Sequence, residues 1–169
     1  MSVDNCNERN NNSHKTHKKI IIKPIHSYGG NDINLISGKL NLLKIKQILK
    51  KHGHIMCQKF LNKIKFGDKR VFIINGKVCG AISRVPKSGS ILSNMSKGAK
   101  PKIAFLSNKE LKVSNIIAKK IKKDGIYFAG IDFIDGKLNG DINVTSPTGI
   151  KTYFDLSKIN LAKTFWKGL

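Results

Sequence analysis

The first half of the chain alternates short apolar runs with polar turns. The segment KIIIKP is typical of a buried strand that ends at Pro24, and the glycine-containing turn HSYGGNDI leads into more extended chain. Between residues 40 and 51 the apolar positions recur at helical spacing, and Gly53 follows as a stop signal. The segment HIMCQKFL is typical of another strand. This order predicts a small unit of strands with one helix.

A hairpin, a loop and a second helix are predicted next. The segments GDKRVFIING and KVCGAISRVP are strand-like and meet at Asn75-Gly76, a strong signal for a two-residue turn. The segment KSGSILSNMSKGAKPK holds too many Gly, Ser, Lys and Pro residues for a core element and predicts a mobile loop. Ser107 and Glu110 form a capping box in front of a helix that runs to about Lys123.

The C-terminal part contains one strongly apolar strand. The segment IYFAGIDFI is almost continuously apolar, which predicts an interior strand, and a turn around DGK pairs it with LNGDINVT. A short amphipathic segment then closes the chain with Ile159, Leu161, Phe165 and Trp166. Strands and helices are interleaved throughout, so the predicted fold class is α/β, of the mixed α+β kind.

Length and cysteine content limit the class of protein. With 169 residues, 40% of them hydrophobic, the chain can bury the core of one domain with two lobes. No apolar run approaches the roughly 18 residues of a membrane span, and the polar N-terminus lacks the apolar core of a signal peptide. Residues 1–18 are Asn-rich and without periodicity, which predicts a disordered tail. Three scattered cysteines fit reduced thiols, so we expect a cytoplasmic protein with no membrane partner.

The net charge of +22 favours a nucleic-acid interpretation at first, because clustered cations displace counterions from phosphate backbones. Arg9, Arg70 and Arg84 are the only arginines, however, whereas recognition of phosphates and base edges favours the forked guanidinium. Lysine is spread along the whole chain instead. We therefore expect no specific nucleic-acid partner, and a basic nucleic-acid-binding module is the less favoured alternative.

Oxygen-bearing side chains on the last two predicted strands form a candidate metal site. Asp132 is the one charged residue in its apolar strand, and a buried carboxylate needs a cation or another partner. The stretch DINV alternates polar and apolar positions, which places Asp141 and Asn143 on one face of a strand. Ile142 and Val144 then face a core. With either a four-residue connection or a two-residue turn, Asp132 lies opposite or diagonal to Asp141, and three oxygen ligands suited to Mg²⁺ converge.

A lysine and a glycine pair near the start of the predicted fold indicate phosphate binding. Lys23 lies on a strand shortly before Gly29 and Gly30, where it could reach phosphate oxygens while amides of the loop help to hold them. Together with the metal candidates, this pattern predicts a nucleotide site. The sequence contains neither GxxxxGK[ST] nor GxGxxG, so neither a P-loop nor a Rossmann fingerprint is present.

Several of these segments resemble a known family. IIIKPIHSYGG, GDKRV, SRVP, FAGIDFI and above all DINVTSPTG, in this order, resemble the C-terminal part of prokaryotic glutathione synthetase, an ATP-grasp ligase. The resemblance runs from about Lys19 to Gly149 and less clearly to the end of the chain. It implies an ATP-grasp fold, with a small lobe over residues 19–66, a large lobe over residues 67–169 and the nucleotide between them.

The resemblance also implies which residues bind the nucleotide. Lys23 would bind the ATP phosphates, and the loop at Gly29 and Gly30 would fold over them. The stretch CQKFL would line the adenine with Gln58, Lys59, Phe60 and Leu61. The implied cofactors are ATP and Mg²⁺, or Mn²⁺ in its place.

The substrate and metal residues implied by the resemblance lie further along the chain. Arg70 would be catalytic, because it would hold the substrate carboxylate and the acyl phosphate that this carboxylate becomes. Asn94 keeps one position of the family's substrate loop, in which Leu92 stands where an arginine is usual. The metal ligands would be Asp132, Asp141 and Asn143, and Asp141 stands where glutamate is usual. The product end would be shaped by Ser146, Pro147, Thr148 and Gly149.

The implied activity is ATP-dependent ligation of γ-glutamylcysteine and glycine, the small-molecule substrates of this family, through an acyl phosphate. The family's N-terminal domain has no counterpart in this sequence, so we expect a truncated or split form of the enzyme. Two partners remain open: further copies of the chain in a homo-oligomer, or a separately encoded N-terminal domain. The alternative function is a nucleotide-binding remnant or subunit without ligase activity.

Overall fold

The computed structural model describes residues 19–27, 29–38 and 41–168, and only the backbone at residues 139 and 140. The predicted tail over residues 1–18, and the first residue of the predicted helix, Leu40, lie outside these ranges. The chain divides into two compact units, one ending at Asn62 and the other beginning at Lys63. Each unit contains its own sheet, and each is described separately below.

The first unit is a three-stranded antiparallel sheet with one helix on a single face. Strand β1 (Lys19–Pro24) lies between β2 (Asn34–Ser37) and β3 (Ile55–Lys59), and helix α1 (Leu42–His52) covers one side. The small core between sheet and helix contains Ile20, Ile22, Ile36 and Ile45. The strands and the helix therefore follow the predicted order, and Gly53 ends α1 with a φ of 72°.

The second unit contains a five-stranded antiparallel sheet in the order β6-β5-β4-β7-β8. Its strands are β4 (Asp68–Ile74), β5 (Lys77–Val85), β6 (Lys100–Ile103), β7 (Phe128–Ile134) and β8 (Lys137–Asn143). Short 3-10 turns lie at Asn62–Phe66 and Met95–Lys97. The predicted apolar strand, β7, is an interior strand, and β8 forms an edge of the sheet.

The two faces of this sheet are covered by different helices. Helix α2 (Asn108–Lys123) packs on the face that contains Val71, Ile73, Ile131 and Phe133. Helices α3 (Ile150–Ser157) and α4 (Leu161–Trp166) pack on the opposite face, against Phe72, Ile74 and Ile82. Alternation along β4 sends successive side chains into the two cores, because neighbouring residues of a strand point to opposite faces.

The local signals for turns and caps are confirmed. Asn75 and Gly76 form the hairpin turn with φ values of 49° and 72°, as a type I′ turn requires. The capping box is complete at the start of α2, where Ser107 and Glu110 each accept a hydrogen bond from the other's backbone N–H. The helix ends at Lys123, and Gly125 follows with a φ of 76°.

Two expectations about elements are wrong, and one helix was not predicted. The segment predicted as a loop throughout contains strand β6, which pairs with β5 from Ile82 to Val85. Helix α3 has no counterpart among the predictions, whereas the amphipathic segment after it forms α4, with Leu161 buried and Trp166 71% exposed. Ile142 and Val144 do not face a core, since they are 41% and 39% exposed. The reason is that β8 is an edge strand and α2 packs over β5, on the other side of the sheet centre.

Within the described ranges, no helix has both the length and the apolar composition that crossing a membrane would require.

Candidate functional site

Four charged side chains of the second unit lie buried together. We call Asp68, Arg70, Arg84 and Asp132 the buried charge cluster; their exposed fractions are 2%, 7%, 3% and 4%. They lie on the sheet face that carries Phe72, because side chains two residues apart on a strand share a face. Burial of charge is tolerated only when each group is paired and hydrogen-bonded, so the contacts within the cluster account for its presence in the sheet.

Arg70 and Asp132 form a two-pronged ion pair across neighbouring strands. They are direct partners in the pairing of β4 with β7. The Nε of Arg70 donates to Oδ1 of Asp132 at 2.8 Å, and NH2 donates to Oδ2 at 2.7 Å. This geometry fixes one edge of the guanidinium.

Arg84 connects this pair to a second carboxylate. Its Nε donates to Oδ1 of Asp68 at 2.8 Å, and its NH2 donates to Oδ2 of both Asp68 and Asp132. The distance from NH2 to Asp132 is 2.9 Å. Positive and negative groups therefore alternate in the order Asp68, Arg84, Asp132, Arg70, and the cluster is neutral as a whole.

A β-bulge decides which residues meet in the cluster. Beside the hairpin turn, Ile74 pairs with Lys77, and this register would bring Ser83 opposite Asp68. An irregularity between Phe72 and Ile73 shifts the pairing by one residue, so that Asp68 faces Arg84 instead. The ion pair therefore depends on one extra residue in β5, which the turn signal at Asn75-Gly76 does not reveal.

Burial and hydrogen bonding change the acidity of both carboxyl groups. Burial would raise the pKa of Asp132, but the hydrogen bonds and charges of Arg70 and Arg84 outweigh it and hold that pKa below its ordinary value. Burial raises the pKa of Asp68 above its ordinary value, and the hydrogen bonds from Arg84 oppose this effect without cancelling it. Asp132 is therefore the more firmly ionised of the two.

The segment SPTG curls back over the edge of the cluster. Asn143 starts the turn: its Oδ1 accepts from the backbone N–H groups of Thr145 and Ser146 at 3.2 and 3.0 Å. The backbone oxygen and the Oγ1 of Thr148 each accept from NH1 of Arg70 at 3.4 Å. A Cβ on Gly130 would lie 3.3 Å from the Cβ of Pro147. The predicted product-end residues thus reach the predicted catalytic arginine.

Gly149 ends this segment, and the structure explains why this position requires a glycine. Its φ of 115° is rarely adopted by other residues, and a Cβ would lie 3.1 Å from Cζ of Phe72. Helix α3 starts directly after it. The chain can therefore turn from the SPTG segment onto the sheet without a side chain in the way.

The metal-ligand candidates lie on neighbouring strands, β7 and β8. Gly130 pairs with Asn143 and Ile131 with Ile142, and continuing this register by one step brings Asp141 opposite Asp132. The turn is the two-residue type, at residues 135 and 136, and the pairing is irregular between Ile131 and Phe133. In a regular hairpin with a two-residue turn, Asp141 would lie diagonal to Asp132. A bulge in β8 shifts the pairing, so that Asp141 lies directly opposite Asp132.

This donor set fits Mg²⁺ in chemical type. Two carboxylates and an amide oxygen are hard ligands, and Asp141 is exposed with no ion pair among the described residues. Asp132 accepts three of the about four hydrogen bonds that a carboxylate can take, so Oδ1 keeps one lone pair. Asn143 would have to release its turn hydrogen bonds to bind a cation. No group of three or more His, Cys, Asp or Glu side chains forms a metal site within the described ranges.

The nucleotide candidates of the first unit lie on both faces of its sheet. Lys23 pairs with Met56, and Gln58 pairs with Ile21, so Lys23 and Gln58 share the face opposite α1. Lys59 pairs with Ile20 and belongs to the other face, where it is exposed. Beyond the strand, the backbone N–H of Phe60 donates to the oxygen of Lys19 at 3.1 Å, and partly buried Leu61 follows.

The glycine pair of the first unit lies in a turn that is fixed by its neighbours. Gly29 and Gly30 have φ values of 67° and 77°. The Oγ of Ser27 donates to the backbone oxygen of Asn31 at 3.1 Å. Asp32 pairs with Lys51 at 3.0 Å, and this hydrogen bond is the main cause of its lowered pKa. Both glycines therefore supply the left-handed backbone that a tight loop needs.

Asn94 follows a residue that contacts the buried charge cluster. The Oγ of Ser93 donates to Oδ2 of Asp68 at 2.5 Å. Asn94 itself is partly buried, and its backbone oxygen accepts from the N–H groups of Lys97 and Ala99. Leu92, at the position where the family usually has arginine, donates through its backbone N–H to the Oγ of Ser90.

Three residues of this region were not predicted from the sequence: Asp68, Arg84 and Ser93. In the structure Asp68 pairs with Arg84, whereas Arg70 pairs with Asp132. Two signals were available: Asp68 and Arg84 lie in the family-like segments GDKRV and SRVP, and Arg70 and Arg84 lie in strand-like segments of a chain whose basic residues are otherwise almost all lysine.

Comparison with solved structures identifies the fold. The ATP-grasp ligase PsnB, complexed with minimal precursor, aligns with a TM-score of 0.63 and 17% identity, over 96% of this chain and 53% of that chain. D-alanine–D-alanine ligase from Bacillus anthracis, complexed with ATP, aligns with a TM-score of 0.62 and 14% identity, over 99% of this chain and 55% of that chain. The chain therefore has the ATP-grasp fold, as predicted.

Sequence comparison identifies the family. The family model for prokaryotic glutathione synthetase, ATP-grasp domain, matches residues 3–158. Glutathione synthetase of Rhodopseudomonas palustris is 34% identical over 158 residues, which cover 89% of this chain and 49% of that protein. The enzyme of Synechocystis sp. is 33% identical over 150 residues, with coverage of 87% and 47%. The chain belongs to the prokaryotic glutathione synthetase family, and it spans about half the length of the curated relatives it matches.

Proposed function

We propose that this chain carries out ATP-dependent carboxylate–amine ligation of the glutathione synthetase type, joining γ-glutamylcysteine to glycine. The observation that carries the proposal is the uneven hydrogen bonding of the Arg70 guanidinium. Asp132 fixes one edge of its guanidinium with two short hydrogen bonds, whereas NH1 makes only two contacts of 3.4 Å, to Thr148. A substrate carboxylate or phosphate could replace those long contacts with shorter, charge-assisted ones.

The proposed chemistry needs no side-chain nucleophile. A carboxylate oxygen of γ-glutamylcysteine bonds to the γ-phosphorus of ATP as the bond to ADP breaks, which gives an acyl phosphate. The glycine nitrogen then attacks the acyl carbon, phosphate leaves with the bonding electrons, and the amine proton passes to solvent. Arg70 would neutralise negative charge on the carboxylate and on the phosphoryl group, and such fixed electrostatic stabilisation is commonly the largest catalytic term.

The remaining candidate residues have proposed roles in binding. Lys23 and the loop at Gly29 and Gly30 would bind the ATP phosphates, and residues 58–61 would contact the adenine. Asp132, Asp141 and Asn143 would hold Mg²⁺ or Mn²⁺, whose charge would stabilise the phosphates of the bound nucleotide. Asn94 and residues 146–149 would contact the substrate and product. The identity with the curated relatives supports these assignments, and Lys23 and Asp132 are the most informative positions to change.

A second candidate function is supported by the coverage of the relatives. The chain matches about half of each of those proteins. The other half would have to come from further sequence in the same polypeptide or from a separate partner. If it is lacking, the chain would act as a nucleotide-binding subunit that does not ligate by itself.

Calorimetric titration of the chain with a non-hydrolysable ATP analogue, with and without Mg²⁺, tests the shared part of both candidates. We expect Mg²⁺-dependent binding that is lost in Lys23→Ala and in Asp132→Ala, and kept in Lys151→Ala, whose lysine is exposed and pairs with exposed Asp155. No binding by the folded wild-type chain would contradict both candidates. Magnesium-independent, steeply salt-sensitive RNA binding would instead support the basic nucleic-acid-binding module.

Product formation separates the two candidates. The chain is incubated with ATP, Mg²⁺, γ-glutamylcysteine and glycine, and the tripeptide and ADP are measured by mass spectrometry. We expect equal amounts of both products, and a loss of about a hundredfold or more in Arg70→Lys, because lysine cannot keep the two-pronged contact with Asp132. Nucleotide binding without tripeptide would favour the subunit.

A further inference from the structure

A single serine connects the 86–99 loop to the buried charge cluster. The hydroxyl of Ser93 donates to Asp68, at the outer end of the alternating series Asp68, Arg84, Asp132, Arg70. Each link in this series is a hydrogen bond between charged groups, a class that is shorter and stronger than neutral hydrogen bonds. A continuous path of hydrogen bonds therefore runs from the hydroxyl of Ser93 to the proposed catalytic arginine.

Few other contacts of this kind hold the loop. Among the described side chains, its second hydrogen bond to the rest of the unit is the weak one from Oγ1 of Thr152 to Sδ of Met95, at 3.5 Å. Ser90 bonds within the loop, to the N–H of Leu92. Met95 packs against the core beside Phe72. Ser93 is thus the polar anchor of the loop, and Asn94, a proposed substrate ligand, is its immediate neighbour.

We infer that Ser93 is a positioning residue: its hydrogen bond to Asp68 holds Asn94 in place for the carboxylate substrate. This inference rests on the proposed function, because it assigns a substrate role to Asn94. Asp68 does not need the contact for its own neutralisation, since Arg84 already reaches both of its oxygens. The contribution of Ser93 is therefore to the loop, whose backbone it fixes beside Asn94.

The test compares three variants in one loop. Ser93→Ala removes the hydroxyl, Ser93→Thr keeps it, and Ser96→Ala is the matched control, because Ser96 is exposed and has no hydrogen bond among the described contacts. Hydrogen exchange of residues 86–99 reports the anchor without any need for turnover. KM and kcat for γ-glutamylcysteine, and its Kd in the presence of the ATP analogue, report the positioning.

We expect Ser93→Ala to speed amide exchange in the loop and to raise both KM and Kd about tenfold to a hundredfold, which corresponds to one hydrogen bond to a charged group. We expect kcat to change much less, Ser93→Thr to restore most of the loss, and Ser96→Ala to behave as wild type. Unchanged amide hydrogen exchange in Ser93→Ala would show that the hydroxyl does not anchor the loop. Faster exchange with unchanged KM and Kd would overturn the positioning role.

Failure of the proposed function gives a different result. A wild-type chain that neither ligates nor binds γ-glutamylcysteine would remove the substrate role of Asn94, and the positioning role with it. The exchange data of the same variants would still differ in that case if the hydroxyl anchors the loop. The two failures are therefore distinguishable from the wild-type assay alone.

Discussion

Arginine and lysine occupy different places in this protein. Both arginines among the described residues, Arg70 and Arg84, are buried in one cluster, whereas every described lysine is at least partly exposed. A guanidinium presents several donors in a rigid plane and can bridge two carboxylates, which the single ammonium of lysine cannot do in the same geometry. Where the lysine-rich chain uses arginine inside its sheet, the residue is therefore needed for its shape as well as its charge.

Replacement of Arg84 by methionine should destabilise the chain by about 3–5 kcal/mol, because Asp68 and Asp132 would share a buried site with one cation too few. Arg84→Lys should lie between this variant and wild type, since it keeps the charge but loses the bridge. Urea unfolding followed by circular dichroism measures the difference, with exposed Lys87→Met as a control. A loss of less than about 1 kcal/mol in Arg84→Met would contradict a cooperative cluster.

Ser114, unlike the residues of the buried charge cluster, is a buried polar residue whose side chain has no hydrogen-bond partner among the described residues. Its hydroxyl lies on the buried face of α2 and is the one buried side-chain polar atom without a hydrogen-bond partner in the part of the chain that the structure describes. A buried unsatisfied hydroxyl costs about 1–3 kcal/mol, and alanine is also the better helix former. Ser114→Ala should therefore stabilise the chain, by about 1 kcal/mol in a urea titration. A destabilised variant would mean that the hydroxyl has a partner.

At the scale of elements, Glu110 joins helix α2 to strand β4. The carboxylate is 2% exposed, and its Oε2 accepts from the backbone N–H of Ser107 and from the Nζ of Lys69, each at 2.8 Å. Lys69 is the neighbour of Arg70 on β4 and points to the opposite face of the sheet. The cap that starts the helix therefore also fixes its position on the sheet.

Glu110→Ala should cost about 2 kcal/mol of stability, because it removes the side-chain half of the capping box that Glu110 supplies and the ion pair with Lys69. Glu110→Gln should cost less, since a glutamine can still accept from the N–H of Ser107. Thermal unfolding of both variants, with Lys109→Ala as an exposed neighbour, measures these effects. Equal losses in the alanine and glutamine variants would show that the charge of Glu110, and not the cap, is what matters.

Strand pairing is the element-scale feature that the sequence did not reveal. The turns at Asn75-Gly76 and at residues 135–136 were both predicted, yet each hairpin contains a bulge that changes the pairing beyond it. One bulge brings Asp68 opposite Arg84, and the other brings Asp141 opposite Asp132. A turn determines only the pairs beside it, because an extra residue further along costs little locally and is selected by what the strands pack against.

At the scale of the whole molecule, the pKa values of the buried carboxyl groups predict a loss of stability in acid. The pKa values of Asp132 and Glu110 are lowered in the folded chain. A lowered pKa stabilises the folded state above the ordinary value, 3.8 for aspartate, and this stabilisation is lost as the pH falls through the folded pKa. Asp68, with a raised pKa, acts in the opposite sense, losing its contribution as the pH rises above 3.8.

Urea unfolding from about pH 2 to pH 6 tests this prediction, since the slope of stability against pH counts the protons taken up on unfolding. We expect stability to fall as the pH drops below the ordinary values of these groups, 4.5 for glutamate and 3.8 for aspartate, and to fall less steeply in Glu110→Gln, which lacks one of the groups concerned. The net charge, which is +22 at pH 7, becomes more positive towards acid and adds self-repulsion throughout this range. A flat profile below pH 3.8 would show that the buried carboxylates gain no stabilisation from their cations.

The sequence by itself determined the family and the local elements. The helix cap at Ser107, the turn at Asn75-Gly76, the stop at Gly53 and the apolar strand β7 all depend on neighbouring residues, so they can be predicted from short segments. Motifs such as DINVTSPTG placed the chain in its family for the same reason, because they are contiguous.

Only the tertiary structure decided which distant side chains meet. It paired Arg70 with Asp132 and Asp68 with Arg84, brought Ser93 from a predicted loop onto Asp68, and left Ile142 and Val144 exposed at an edge. These outcomes depend on strand register and on where helices pack, and both are set by interactions between residues far apart in the chain. The same residues on a strand register shifted by one position would point away from each other.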